Sequence, residues 1–202
     1  MKLNMQLIRH GKTEAVDRMI YSGFSDLPLT DAGKSEIDRF VKEKLYHSAD
    51  SYYTSGLSRA VETLELIAGN VNYGIIPELK ECNFGEFELR KHDDLMHDPD
   101  YVAWINDVTG NYVIPHGEST AQFHDRVEKG FRILFNHALD ENSEKILLTS
   151  HGGVIGYFAN KYCDDSMNFY EAMPSHGLGY EIDLMVEKES FRVENFKRIE
   201  NN

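Results

Sequence analysis

A three-layer α/β/α sandwich with a mostly parallel central sheet is the fold this sequence predicts, on three observations. Segments of strand character alternate with segments of helical periodicity along most of the chain. One strand segment, Lys145–Thr149, holds Ile146, Leu147 and Leu148 in succession, apolar on both faces as a central parallel strand is. Three strand ends run into polar, glycine-containing motifs, Arg9-His10-Gly11, Ser55 to Arg59 and Ser150-His151-Gly152-Gly153. In such folds ligands gather beyond the carboxyl ends of the strands.

Leu3–Ile8 is apolar and stops at Arg9-His10-Gly11, as a buried strand ending in a loop does. Thr30 or Asp31 then offers an N-cap to a helix carrying Ile37, Phe40, Val41 and Leu45. Ser51–Thr54 is a second strand, and Ala60, Leu64, Ile67 and Ala68 mark a helix ended by Gly69-Asn70. Tyr73–Ile76 is a short third strand. Residues from about 78 to 115 are irregular, charged and aromatic, and are expected to lie over one end of the sheet as a cap. A long helix over Glu118–Leu139 places Phe123, Val127, Phe131, Leu134, Phe135 and Ala138 on one stripe. Val154–Lys161 reads as a helix, and Gly179–Met185 and Phe191–Phe196 alternate like two strands joined by Glu187-Lys188-Glu189.

The 202 residues, without internal repeat or linker, suit a single domain. A net charge of −13 argues against nucleic acid and anionic membranes as partners. No apolar run is long enough for a membrane span, and the N-terminus lacks the pattern of an export signal. Cys82 and Cys163 make no disulfide framework and read as reduced packing thiols of a cytoplasmic protein.

The strand ends suggest phosphate chemistry. The guanidiniums of Arg9 and Arg59 are planar forks suited to phosphate oxygens, and Gly152 opens a helix whose N-terminus favours an anion. Arg59 stands near a helix N-terminus, the wrong end for a dipole-stabilised cation, so an anionic partner is expected. His10 and His151 suggest covalent catalysis, in which a neutral imidazole attacks phosphorus and water later hydrolyses the phosphohistidine. No metal or organic cofactor is implied. A carboxyl group must protonate the leaving alkoxide, and the candidates lie between Pro77 and Glu88.

Leu7-Ile8-Arg9-His10-Gly11-Lys12-Thr13-Glu14 resembles the signature of the histidine phosphatase superfamily, in its phosphoglycerate mutase-like branch. Ser22-Gly23 with Asp26–Thr30, Ser55–Thr63, Glu81-x-x-Phe84-Gly85, Gly117-Glu118-Ser119 and Ser150–Gly153 match further family motifs in the same order. The resemblance implies a phosphoglycerate mutase-like fold. It implies His10 as the phosphorylated nucleophile, Arg9, Arg59 and His151 as the rest of the phosphate pocket, and Glu81 as the proton donor. Glu86 and Glu88 stand outside that motif position. Ser22 and Gly23 would line the substrate entrance, and Gly152 would approach the phosphate. Where the family usually has asparagine six residues after the nucleophile, this chain has Val16, which implies either weaker phosphate binding or a replacement donor, with Thr13 the candidate.

Chain length favours a phosphatase over a mutase. Tyr21-Ser22-Gly23, Pro77–Arg90 and further stretches between His92 and Glu118 resemble the α-ribazole phosphatases, which remove the 5′-phosphate of α-ribazole phosphate in cobalamin assembly. Many relatives have glycine where Leu89 stands. Alternatives are a phosphoglycerate mutase, a broad-specificity metabolite phosphatase, or a phospho-ligand binding module without turnover. The partner implied is a small phosphorylated metabolite, and the C-terminal strands offer an edge for a homodimer. His47, His92, His97, His116, His124, His137 and His176 read by default as surface or packing residues. Phe87, Tyr101 and Trp104 read as packing aromatics, one of which could stack on a flat substrate ring. The acidic run from Asp93 to Asp100 reads as a solvated face.

Overall fold

Leu3, Met5 and Leu7 are buried on one face of the first strand, β1 (Lys2–Arg9), and Ile8 on the other, so both faces must be covered. The computed structural model describes residues 1–188 and 190–201. After β1 come α1 (Glu14–Arg18), α2 (Asp31–Lys42), β2 (Ser51–Thr54), α3 (Ser58–Ala68) and β3 (Gly74–Ile75). Short helices α4 (His92–Leu95) and α5 (Pro99–Ile105) precede the long α6 (Thr120–Asp140), β4 (Lys145–Ser150) and α7 (Gly152–Phe158). The chain closes with α8 (Phe169–Ala172), β5 (Gly179–Glu187) and β6 (Ser190–Ile199).

The sheet order is β3-β2-β4-β1-β5-β6, with parallel pairing from β3 through β1 and antiparallel pairing of β5 and β6. The mostly parallel three-layer fold is therefore as expected. Ile146 and Leu148 of β4 join Leu3, Met5 and Leu7 against α6 and α7, while Leu147 and Ile8 pack with Leu64 of α3 on the opposite face. Register decides where the chemistry falls. Arg9 pairs with Ser150 and Thr54 with Thr149, so β2, β4 and β1 end level and side by side. The three polar motifs leave the sheet at one place.

Local sequence explains most boundaries. Thr30 caps α2 by accepting from the Gly33 N–H at 3.0 Å. α2 ends at Lys42, before Leu45, and Val41 faces solvent, so the predicted apolar stripe is narrower than its four residues. At α6 a capping box joins Ser119 and Gln122, and the predicted stripe from Phe123 to Ala138 is buried. The helix expected over Val154–Lys161 is α-helical only to Phe158 and continues as a π-turn over Ala159–Cys163. The C-terminal pair forms as predicted; Glu189 of its turn lies outside the described residues.

Residues between β3 and α6 hold two 3-10 turns, Pro77–Leu79 and Gly85–Phe87, besides α4 and α5. Phe87, Leu95, Tyr101 and Ile114 form a small apolar cluster there, with Tyr21, Phe84 and Trp104 against it. Tyr21 ties it to the sheet side of the molecule through backbone bonds with Leu89 and Arg90. No helix among the described residues is long and apolar enough to cross a membrane.

Candidate active site

His10 follows the last residue of β1, its backbone N–H bonded to the Ser150 carbonyl of the neighbouring strand at 2.9 Å. The side chain is 7% exposed. Nδ1 lies 2.7 Å from the Gly11 carbonyl, which can only accept, so Nδ1 carries the proton and Nε2 keeps its lone pair. Burial, then the charges of Arg59, His176 and Arg9, hold this imidazole well below its ordinary pKa. A neutral imidazole with a fixed tautomer results.

His151 stands with its ring centroid 5.2 Å from that of His10. Its Nε2 is 2.7 Å from the Ser55 hydroxyl, and burial followed by Arg59 lowers its pKa well below normal. If Ser55 donates to Nε2, the opposite ring nitrogen carries a proton, and that Nδ1 is buried with no partner. Arg9 Nε and Arg59 Nε are also buried and unpartnered. Such orphaned donors are expensive unless something anionic satisfies them. A tetrahedral oxyanion beside His10 would do so.

Arg59, in the first turn of α3, is 1% exposed. It donates to the carbonyls of Ser25 at 2.9 Å, Gly23 at 2.7 Å and Ser22 at 3.3 Å, which fixes the guanidinium. The start of α3 is held by Asp26, whose carboxylate accepts from the Ser58 N–H at 2.7 Å and hydroxyl at 2.9 Å. Arg9 donates from Nη1 to the Pro174 carbonyl at 2.8 Å. Burial lowers the pKa of both arginines, and the Glu81 carboxylate opposes the shift.

Glu81 accepts from the N–H of Cys82 and of Gly153, each at 2.9 Å. The two glycines after His151 thereby find their use. A side chain at Gly152 would fall 3.0–3.2 Å from the Arg9 guanidinium, and one at Gly153 only 2.2 Å from Glu81. They make room for the Glu81 and Arg9 side chains, and the Gly153 amide is already committed to Glu81.

Arg9, His10, Thr13, Val16, Ser22, Arg59, Glu81 and His176 line one cavity of about 340 Å³. Thr13 makes no side-chain cap to α1, so its hydroxyl is not spent there. Gly23 does not reach this cavity: its amide is bonded to Glu88, and a Cβ would fall 1.7 Å from the Cys82 carbonyl. Its role is close packing. Glu81, Tyr21 and Phe84 also line a second cavity of about 790 Å³, walled further by Trp104, Phe123, His124, Tyr157 and Phe169. Those three residues are thus the partition between the two spaces.

Three residues escape a reading of the sequence. Glu88 accepts from the amides of Gly23, Phe24, Ser25 and Phe84. Arg126 of α6 donates to the carbonyls of Glu78, Lys80 and Glu81 and is paired with Glu118, so it pins the segment that carries Glu81. His176, expected by default to be a packing residue, stands edge-on to His10 with ring centroids 5.4 Å apart. No local spacing signals any of them, since each acts across a long chain separation.

The sequence profile of the histidine phosphatase superfamily (branch 1) matches residues 5–195. The chain belongs to this superfamily. It is 36% identical over 160 residues to the adenosylcobalamin/alpha-ribazole phosphatase of Escherichia coli K12, covering 76% of this chain and 75% of that one. The alpha-ribazole phosphatase of Shigella flexneri superimposes with a TM-score of 0.76 at 29% identity, over 95% of both chains. A phosphoglycerate mutase of Thermus thermophilus gives 0.71 at 26%, over 99% of this chain and 100% of the other. The histidine phosphatase fold is therefore the one observed, and the protein is a phosphatase of that family.

Proposed function

We propose that this histidine phosphatase hydrolyses a phosphomonoester through a phosphohistidine on His10. The observation that carries the reading is the set of buried, unpartnered nitrogens Arg9 Nε, Arg59 Nε and His151 Nδ1 around an imidazole whose Nε2 is unprotonated. Nε2 attacks phosphorus as the bond to the ester oxygen breaks, and the departing oxygen takes a proton from the acid form of Glu81. The Glu81 carboxylate then accepts a proton from water as that water attacks the phosphohistidine, returning Nε2 and releasing phosphate. Arg9, Arg59 and His151 hold the phosphoryl oxygens throughout, which is most of what phosphoryl transfer asks of a protein.

The preferred substrate is α-ribazole 5′-phosphate, on the names of the relatives and on the second cavity. In-line attack sends the leaving group away from His10. Glu81 stands at the partition, where a leaving oxygen would sit between the phosphate and the larger space. Aromatic rings, among them Tyr21, Phe84, Trp104, Phe123 and Tyr157, make up much of the lining of that space and suit a flat, uncharged ring. Its lysine, Lys161, is already paired with Glu128, so a second anionic group on the substrate has no ready counter-ion there. This disfavours phosphoglycerate and sugar bisphosphates. Residues 78–115, with Tyr21, Phe84 and Trp104, act on this reading as the cap of a single-domain enzyme.

The test is rapid quenching with substrate followed by mass measurement. A gain of one phosphoryl group on His10, absent from His10→Ala together with turnover, is expected. Full turnover by His10→Ala refutes the nucleophile. Among phosphorylated metabolites, kcat/KM should be highest for α-ribazole phosphate.

A further inference from the structure

We propose that His176 is a phosphate-binding residue, donating a ring N–H to a phosphoryl oxygen alongside the arginines. The inference rests on the phosphate pocket proposed above, but it assigns to this chain a contact that reading does not include.

The lining of the pocket is part polar and part apolar. Arg9, Arg59 and His10 supply its polar wall, while Ala15, Val16, Met19 and Ile20 present carbon along another stretch. An oxyanion with three non-bridging oxygens needs donors on more than one side. Beyond the arginines, the lining residues with a polar tip to offer include Thr13, Ser22 and His176. Ser22 donates its hydroxyl to the Ser25 carbonyl at 3.4 Å. The His176 ring lies edge-on to that of the nucleophile, and among the described residues no hydrogen bond engages it.

The backbone treats this histidine as a part to be aimed. Leu178 N–H bonds to the Ser175 carbonyl at 3.0 Å and Gly177 takes φ +74°, so His176 is the second residue of a tight turn. A side chain at Gly177 would suffer both that positive φ and a 2.6 Å approach to Ile37. The turn is fastened to the nucleophile's own strand: Gly177 N–H donates to the Arg9 carbonyl at 3.0 Å, and Arg9 N–H to the Leu178 carbonyl at 2.9 Å. The Pro174 carbonyl holds the Arg9 guanidinium, and the Tyr46 hydroxyl donates to the Gly177 carbonyl at 2.6 Å. Whatever moves His10 moves His176 with it.

Inorganic phosphate is the probe, since its binding needs no chemistry. Its dissociation constant and the KM for an aryl phosphate are measured for wild type, His176→Ala, His176→Phe and His176→Asn. Phenylalanine keeps a ring against His10 but donates nothing, and asparagine restores an N–H without the ring. Phosphate should bind about ten-fold more weakly to the Ala and Phe variants, with KM rising in step and Asn recovering most of the loss. A second rescue, Val16→Asn in the His176→Ala background, should also tighten phosphate, because position 16 lines the same cavity. Equal affinity in wild type, Ala and Phe overturns the role of His176 alone. Absence of phosphate binding by wild type overturns the pocket itself and this inference with it.

Discussion

Arg59 and Glu88 grip the same segment in complementary ways: the guanidinium takes the carbonyls of Ser22, Gly23 and Ser25, and the carboxylate takes the amides of Gly23, Phe24 and Ser25. The segment is polarised between a cation and an anion, so each charge has its backbone partners. Arg59 is aimed at the site because Glu88 holds the far side of its platform.

Glu88→Ala should therefore cost stability and activity together. Four backbone amides lose an ionised acceptor, a loss of about 2–4 kcal/mol. The mutant's denaturation midpoint should fall accordingly, with phosphate binding weakened through Arg59. An unchanged midpoint would show that water replaces the carboxylate at no cost.

Acid should destabilise the protein earlier than its carboxylates alone would cause. His10 and His151 are held well below their usual pKa by burial and by Arg59, and His176 is pushed down to about 3 by burial, Arg9 and Lys12. In the unfolded chain all three protonate near pH 6.5. Below that pH the unfolded state binds protons that the folded state refuses. Stability then falls as pH drops from about 6.5, by up to about 1.4 kcal/mol per pH unit for each histidine. Carboxylates with lowered pKa, such as Glu128, add to the loss only below about pH 4.5. Thermal melts between pH 7 and pH 5 should show the decline, and it should be shallower in His176→Asn.

Leu89→Gly should stabilise. Leu89 has φ +60° and is largely exposed, so its side chain gains little packing and strains the backbone. Relief of about 0.5–1 kcal/mol is expected, read as a higher melting temperature with unchanged kcat. A lower melting temperature would mean that the exposed leucine packs better than its position suggests.

Much of this is legible in the residues themselves. The apolar run of β4, the stripe of α6 and the capping pattern at Thr30 are local signals, and each produces the element it announces. His10, Arg9, Arg59 and His151 come together because strand-end motifs in a parallel sheet share one edge, and Glu81 is brought to them by the segment that Arg126 pins. Arg126, Glu88 and His176 act through tertiary contacts that no spacing encodes. Gly23 is expected from sequence to line the substrate entrance and Gly152 to approach the phosphate, and their missing side chains also make space for Cys82, Glu88 and Arg9. From sequence alone, a glycine that admits substrate looks the same as one that admits a neighbour.

The level ending of β2, β4 and β1 makes assembly of the site a late event for the folding chain. A nascent polypeptide that has emerged only as far as α6 holds His10, Arg9 and Arg59, yet it lacks the central strand that sets them at one height. During refolding, recovered turnover should thus trail recovered helix content, reporting the moment the middle of the sheet zips shut.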